Sequence, residues 1–152
     1  MQKTNRVRIE FDSLPENVAL ARVVVASFAA QSDITISELE EIKVATSEAV
    51  SNAIIHGYKN ENSGKITLVL SRELDVLSMT VEDYGVGIAD IKQALEPAYS
   101  SDPDRMGLGF VFMKSFMDNL EVESKLGQGT RVAMSKKLPC KDTWAEDSDG
   151  QT

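Results

Sequence analysis

Cysteine and histidine are almost absent from this sequence, and each occurs once, as Cys140 and His56. A single cysteine cannot form an internal disulfide, and it cannot supply the thiolates that a cysteine metal site needs. The sequence therefore excludes a disulfide-stabilised scaffold and a cysteine-based metal domain. Such cysteine usage is typical of a protein in the reducing cytoplasm, where we expect this one to act.

Long apolar runs and positive charge are also scarce. No apolar stretch approaches the roughly 20 residues that span a bilayer, and the first segment, MQKTNRVRIE, lacks a signal-peptide apolar region. The formal net charge is −8, whereas nucleic-acid phosphates require a clustered positive field. We therefore expect neither membrane association nor direct binding of nucleic acid.

The 152 residues are enough for one domain with a hydrophobic core, since 42% of them are hydrophobic and 26% are charged. Alternation of apolar and polar residues predicts strands at 6–11, 65–72 and 75–83 and a hairpin at 119–138. Capping-box spacing predicts two long helices, one from Ser13 with Glu16 and one from Ser37 with Glu40 that ends at Gly57. A short helix at 88–95 and a third long helix at 108–117 follow.

Hairpin-like strand pairs with the helices collected together predict an α+β fold, a two-layer sandwich of a mainly antiparallel sheet with helices on one face. We assign residues 1–138 to this domain and residues 139–152, which are acidic and aperiodic, to a disordered tail. The loop at 96–107 is long for a compact domain and contains two prolines. We expect residues 96–106 of this loop to act as a lid that is mobile without nucleotide and ordered with it.

The stretch EDYGVGI, residues 82–88, ends the third predicted strand in an unusual way. Leu77, Met79, Val81 and Asp83 share one parity and therefore one face of the strand. The core-facing side thus ends in a carboxylate, which is costly to bury unless hydrogen-bond donors reach it. The D-x-G-x-G spacing suits a flat ligand approached closely by the backbone, although a turn or a local cap explains it equally well.

Glu48, Asn52 and His56 lie four residues apart along the second predicted helix and are flanked by apolar residues. An asparagine oxygen can ligate Mg²⁺, and a carboxylate one turn away can deprotonate an attacking hydroxyl. A solvated or structurally bonded Glu/Asn pair is the alternative. His56 is interpreted as a hydrogen-bonding residue at the helix end, not as a metal ligand.

Two further glycine pairs complete the set of motifs. Gly107 and Gly109, in RMGLGF, directly precede a predicted helix, where free N–H groups favour phosphate; a simple hinge is the alternative. The last hairpin carries GQGT, in which the turn explains the glycines and leaves Thr130 unexplained. Each motif is weak alone, but their conjunction in this order is specific.

With these motifs, residues 5–138 resemble the GHKL superfamily of ATP-binding domains. SEAVSNAIIHGY, EDYGVGI and RMGLGFVFMKSFMD are similar to the N-box and the two G-boxes of one branch, the anti-sigma factor serine kinases, and most of all to those of the anti-sigma F type. The resemblance implies ATP or ADP with Mg²⁺. It also implies three partners: a sigma F-like sigma factor held inactive, an anti-anti-sigma protein phosphorylated on serine, and a second copy of the chain.

The resemblance also implies roles for individual residues. Glu48 would be the general base and Asn52 the Mg²⁺ ligand, while Asp83 would accept a hydrogen bond from the adenine amino group. Thr130 would lie near the adenine, and Arg105, in the lid loop, would contact phosphate. The glycines would shape the pocket and the phosphate turn: Gly85, Gly87, Gly107 and Gly109.

Rival functions are a nucleotide-gated binding module without phosphotransfer, a detached histidine-kinase catalytic domain, and a sigma B-type regulator of the stress response. Glu48 argues against the first, because a binder needs no base. A lone histidine and the lack of a preceding helical segment argue against the second. The compact lid and the NAIIHGY sequence favour an anti-sigma factor of sporulation over a sigma B-type regulator, by resemblance alone.

The first predicted helix is apolar on every side, with Arg22 as the only charge between Asn17 and Gln31. A helix on one face of a sheet should be polar on its back, so this one needs a second protein surface. We predict that Arg22 anchors a partner there. A chain terminus or the short helix near Ile91 could also cover this face.

Overall fold

Five antiparallel strands form one sheet in the computed structural model, which describes residues 4–61, 63–96 and 106–138, with only the backbone of Met106. The strand order across the sheet is β1-β2-β3-β5-β4. The expected tail at 139–152 lies outside the described residues. The strands are β1 (Asn5–Asp12), β2 (Lys65–Glu73), β3 (Val76–Asp83), β4 (Asn119–Lys125) and β5 (Gly129–Lys137).

The register aligns apolar side chains in rows across the sheet. One row crosses all five strands, because each of its members is the Cα partner of the next. Its central residues, Leu68 and Val81, are at most 2% exposed. Alternation along each strand therefore gives the sheet one apolar face and one polar face. The row is Ile9, Leu68, Val81, Val132 and Val122.

Helices cover the apolar face only, which confirms the predicted two-layer α+β fold. The helices are α1 (Glu16–Ala29), α2 (Ile36–Asn52), α3 (Ile91–Ala94) and α4 (Met106–Phe116). The central helix is α2, which packs against both α1 and α4. Its small residues Ala45 and Ala49 are fully buried and allow close approach to the core. None of these described helices is long and apolar enough to cross a membrane.

The helix starts differ from the predicted capping boxes. Thr35, not Ser37, caps α2, since its hydroxyl accepts a hydrogen bond from Glu38 N at 3.1 Å. Ser13 does not cap α1 either: its buried hydroxyl donates to Glu61 O at 2.8 Å and accepts from Gly64 N at 3.1 Å. Ser13 thus ties the start of α1 to a loop that is distant in sequence, a contact that local spacing cannot reveal.

The end of the second helix also differs from its prediction. α2 stops at Asn52, and a single π-helical turn, Ala53–Gly57, continues the chain. In this turn the Tyr58 N–H donates to Ala53 O at 3.0 Å, five residues back. Such turns are rare and occur often at functional sites. Asn52 therefore lies where the helix widens.

Candidate functional site

A pocket opens between the π-turn and one end of the sheet, with an empty volume of ≈ 380 Å³, its open mouth included. It draws residues from four separate segments of the chain. Three of them carry predicted site residues: Asn52 from α2, Asp83 and Gly87 from the end of β3 and the loop after it, and Thr130 from β5. The apolar walls are Ala49, Ala53, Val81, Ile88, Phe110 and Val132.

Asp83 lies in this pocket and is 7% exposed. Its Oδ1 accepts a hydrogen bond from Gly85 N at 3.0 Å. Burial raises the pKa of the Asp83 carboxyl, and backbone hydrogen bonds from Gly85 and Thr130 oppose that rise. The donors that this inward-facing carboxylate needs are thus in part backbone N–H groups. They hold the carboxylate in one orientation.

Gly57 and Gly85 let the π-turn touch the loop after β3. A Cβ on Gly57 would lie 2.7 Å from Asp83 Oδ1, and one on Gly85 would lie 1.9 Å from Gly57 O. The Val86 N–H donates to Gly57 O at 2.9 Å. A side chain at either glycine would force these segments apart. Gly57, which the sequence presented as a helix stop, is therefore a site residue that sequence reasoning missed.

Glu48 and Asn52 meet the start of α4 beside the pocket. A Cβ on Gly109 would lie 2.9 Å from Glu48 Oε2 and 3.3 Å from Asn52 Nδ2. Burial raises the pKa of the Glu48 carboxyl. The Asn52 Nδ2 atom is buried without a hydrogen-bond partner among the described residues. Two predicted motifs, the helix pair and the second glycine pair, are therefore in direct contact.

Gly107 and Gly109 lie inside the first turn of α4, not before it, because that helix begins at Met106. A Cβ on Gly107 would lie 2.9 Å from Glu96 O, so the start of α4 packs against the chain that follows α3. Arg105 and most of the predicted lid loop lie outside the described residues.

Thr130 is the register partner of Asp83 across β3 and β5. Its Oγ1 lies 2.8 Å from Ser124 Oγ, which also accepts a hydrogen bond from Ile88 N at 2.7 Å. Ser124 therefore anchors the loop after β3 to the last hairpin. Sequence reasoning missed Ser124, although its parity in β4 matches that of the core-facing Leu120 and Val122.

Tyr58 braces the same loop from the other side. Its hydroxyl donates to Lys65 O at 2.5 Å and accepts a hydrogen bond from Tyr84 N at 2.7 Å. Burial raises the pKa of the Tyr58 hydroxyl. Tyr84 itself is 58% exposed, and its side chain is not part of the pocket wall. His56 lies in the π-turn and lines the pocket.

Comparison with known proteins identifies a family that matches most of this chain. The family model of the histidine kinase-like ATPase domain matches residues 11–136. Over 136 residues the chain is 49% identical to the anti-sigma F factor of Clostridium beijerinckii, covering 88% of this chain and 95% of that one. It is 43% identical to the anti-sigma F factor of Bacillus subtilis, covering 88% and 93%.

Two solved structures share the fold at low identity. The RsbU and RsbW domains of Rv1364c from Mycobacterium tuberculosis align with a TM-score of 0.61 and 19% identity, over 88% of this chain and 32% of that one. The catalytic domain of histidine kinase ThkA aligns with a TM-score of 0.56 and 15% identity, over 88% and 97%. The chain therefore belongs to the histidine kinase-like ATPase domain family, within its group of anti-sigma F factors.

Proposed function

We propose that this chain is a cytoplasmic anti-sigma factor that uses ATP and Mg²⁺ to phosphorylate an anti-anti-sigma protein on serine. It holds a sigma F-like, sporulation-type sigma factor inactive and acts as a homodimer. Family membership supports ATP binding, and the names of the relatives support a sigma factor as partner. The observation that carries the catalytic part is the contact of Gly109 with both Glu48 and Asn52 beside the pocket that contains Asp83.

Asp83 fits the recognition of adenine. Its carboxylate is held by backbone donors and lies on a pocket with apolar walls, which suits a flat ring with an exocyclic amine. Gly57 and Gly85 leave no side chain between the carboxylate and the backbone around it. A base that offers a donor at this point gains a hydrogen bond to a charged group, worth about 1.5–3 kcal/mol.

Asn52 fits the role of a Mg²⁺ ligand. Its buried Nδ2 has no partner among the described residues, so no other hydrogen bond fixes that end of the amide. No cluster of three or more His, Cys, Asp or Glu occurs in the described part of the chain. One protein oxygen together with substrate phosphates and waters is a common way to hold this ion. When bound, Mg²⁺ neutralises charge on the phosphate oxygens.

Glu48 fits the role of general base. It lies one helical turn before Asn52, and its carboxylate oxygen is where the serine proton would go. Burial raises its pKa towards the working pH, which makes the ionised form a stronger base. A module that only binds nucleotide has no need of this carboxylate, so phosphotransfer is the better-supported function.

Incubation of this chain with radiolabelled ATP, Mg²⁺ and purified candidate anti-anti-sigma proteins from the same genome tests the proposal. We expect label on one of these proteins, on a serine identified by mass spectrometry, and far slower labelling with Glu48→Gln. ADP and ATP binding without label on any candidate would instead support a nucleotide-gated binding module. Capture of a sigma B-type sigma factor in preference to a sigma F-like one would move the chain to the stress-response branch.

A further inference from the structure

The hydroxyl of Ser124 lies behind the pocket wall and contacts three groups of the surrounding chain. It accepts a hydrogen bond from Ile88 N at 2.7 Å, donates to Gly129 O at 3.0 Å, and lies 2.8 Å from the hydroxyl oxygen of Thr130. Ile88 and Thr130 are among the residues that line the pocket, whereas Ser124 is not. Ser124 can therefore act on a ligand in the pocket only through these neighbours.

One proton lies between the two hydroxyl oxygens of Ser124 and Thr130. Their separation of 2.8 Å is the usual length of an O–H···O hydrogen bond, and two oxygens at this distance repel each other unless a proton lies between them. A serine has a single hydroxyl proton, and the carbonyl oxygen of Gly129 can only accept. When Ser124 donates to Gly129 O, the proton between the two hydroxyls is therefore that of Thr130.

The opposite proton arrangement satisfies fewer groups. If Ser124 donated to Thr130, Gly129 O would lose its hydrogen bond from Ser124. The Thr130 proton would also lose its acceptor, because among the described residues the Thr130 hydroxyl is bonded to Ser124 alone. A donor left without an acceptor in a partly buried site is unfavourable. In the empty pocket the Thr130 proton is therefore expected to point at Ser124.

The part of the pocket wall formed by Asp83 and Thr130 then offers acceptors only. The two residues are register partners on β3 and β5, and both line the pocket. The ionised carboxylate of Asp83 has no proton to donate, and its Oδ1 already accepts a hydrogen bond from Gly85 N at 3.0 Å. The Thr130 oxygen keeps its lone pairs for the pocket once its proton points at Ser124. Such a wall suits a ligand group that donates two protons from one atom.

We propose that Ser124 is a positioning residue that makes the pocket select a 6-amino purine over a 6-oxo purine. It holds the Thr130 proton, so that Thr130 and Asp83 can each accept one of the two protons of the exocyclic amine. A 6-oxo purine would place a carbonyl oxygen against these acceptors, and a site built to accept from an N–H group strongly rejects a ligand that lacks it. The inference rests on the nucleotide binding of the proposed function and adds a residue that determines the choice of base.

The hairpin that carries Ser124 is fixed against the loop after β3. The Gly127 N–H donates to Val86 O at 2.9 Å. A Cβ on Gly129 would lie 2.0 Å from Asp83 O, so the two backbones approach as closely as only a glycine allows. This packing holds the hairpin and the pocket wall in one arrangement, which keeps the hydroxyl of Ser124 within reach of its neighbours.

A purely structural role for Ser124 would have a different consequence. Because Ser124 also accepts from Ile88 N, its loss would loosen the loop after β3 and weaken the binding of every nucleotide alike. Selection of the base instead changes the ratio of two affinities. ADP and IDP differ only in the base, where a 6-oxo group and a proton on N1 replace the 6-amino group. The ratio of their affinities therefore separates the two roles.

Calorimetry with ADP and with IDP on the full chain tests the inference. We expect the wild type to bind ADP about a hundredfold or more tighter than IDP. Ser124→Ala leaves the Thr130 hydroxyl able to turn its proton into the pocket and donate to a 6-oxo group, so the ADP-to-IDP affinity ratio should fall about tenfold. Ser124→Thr retains a hydroxyl and should keep the ratio within about threefold of the wild-type value.

A double-mutant cycle shows whether Ser124 acts through Thr130. Thr130→Val removes the hydroxyl that Ser124 holds, so this variant alone should lower the ratio, even if Ser124→Ala does not fold. Addition of Ser124→Ala to Thr130→Val should change the ratio no further. Ser135→Ala is the matched control, because the Ser135 hydroxyl accepts from the Asn119 side chain at 3.1 Å and does not line the pocket. It should leave the ratio unchanged.

Three results would overturn the inference. They are equal affinity of the wild type for ADP and IDP, an unchanged ratio in Ser124→Ala or in Thr130→Val, and a further fall of the ratio when Ser124→Ala is added to Thr130→Val. Weaker binding of both nucleotides with an unchanged ratio would assign Ser124 a structural role only. A wild type that binds neither nucleotide would remove the proposed function, and the inference with it.

Discussion

At the scale of single residues, Asp83 combines burial with charge. It ends the apolar side of β3 and is held by backbone donors, yet burial raises its pKa from the ordinary value of 3.8. A raised carboxyl pKa means that the folded state binds the proton more tightly than the unfolded state. Its contribution to stability is therefore unfavourable at neutral pH and is relieved as pH falls towards 3.8. The fold retains a carboxylate that destabilises it at neutral pH, which indicates that Asp83 has a functional role.

The Asp83→Asn variant tests whether that role is recognition of adenine. The amide offers a competing donor where adenine needs an acceptor, and an unpaired buried polar group costs about 1–3 kcal/mol. We expect ATP and ADP affinity to fall about tenfold or more in calorimetry. Asp33→Asn, at an exposed position, is the matched control. Wild-type affinity in Asp83→Asn would remove the adenine assignment.

Glu48→Gln separates binding from chemistry. The amide keeps the shape of the side chain but cannot take a proton, so Mg·ATP should bind nearly normally while phosphotransfer slows about 10²–10⁴-fold. In the wild type the rate should rise with pH as Glu48 ionises. Because burial raises the pKa, that rise should be centred above 4.5. Single-turnover transfer at the wild-type rate would place the base elsewhere.

Tyr58→Phe removes the hydroxyl that joins Lys65 to Tyr84. We expect unfolding in urea to show a loss of about 1 kcal/mol, because the variant leaves the Tyr84 N–H without this partner. ATP affinity should fall as well, since the loop after Asp83 loses its brace. Tyr84→Phe, with an exposed ring, is the control for loss of a hydroxyl. Equal stability of Tyr58→Phe and wild type would show that the Tyr58 hydroxyl does not stabilise the loop after Asp83.

How far single residues could be predicted depends on how local their roles are. The inward orientation of Asp83 follows from the parity of β3, so the sequence predicted it. Gly57 and Ser124 act through contacts with Asp83 and Ile88, residues that are distant in sequence. No spacing rule reaches such contacts, and these two residues were missed for that reason.

At the scale of elements, strands and hairpins were predictable because alternation persists over whole strands. The start of α1 and the end of α2 were not, since they depend on contacts distant in sequence, whereas the start of α2 is set by the local cap Thr35. The buried hydroxyl of Ser13 binds a loop instead of capping α1. The π-turn at Ala53–Gly57 brings Gly57 close to the carboxylate of Asp83, a residue distant in sequence, whereas the helix pattern alone predicted a continuous helix.

Gly109 lowers the stability of α4, but its missing Cβ leaves room for the side chains of Glu48 and Asn52. Glycine inside a helix costs up to about 1 kcal/mol relative to alanine. Gly109→Ala should therefore raise the free energy of unfolding by up to about that amount, while its Cβ displaces the side chains of Glu48 and Asn52. We expect higher thermal stability together with slower phosphotransfer.

Ser115→Ala, on the exposed side of the same helix, separates the two effects. It should raise stability by a few tenths of a kcal/mol and leave phosphotransfer unchanged. If Gly109→Ala phosphorylated its substrate as fast as Ser115→Ala does, the close contact between α4 and the Glu48–Asn52 pair would have no catalytic role.

At the scale of the whole molecule, α1 presents two different surfaces. Leu20 lies on the flank of α1 from which the Asn17 side chain donates to Asp12 O of β1, and Arg22, two residues later, is about 160° away around the helix. Val23, which is 66% exposed, extends the apolar surface between them. The short helix α3 packs against α4 and β4 and so does not cover α1. We therefore expect the exposed surface around Arg22 and Val23 to bind another protein.

Arg22→Glu tests the second of these surfaces. An exposed arginine surrounded by apolar residues is a typical interface anchor, and an acidic patch on the sigma factor or the anti-anti-sigma protein would complement it. Reversal of its charge should weaken capture of such a partner by about 2 kcal/mol or more. Nucleotide binding should persist, because Arg22 is not among the residues that line the pocket. Undiminished capture of both partners by this folded variant would move the partner surface off α1.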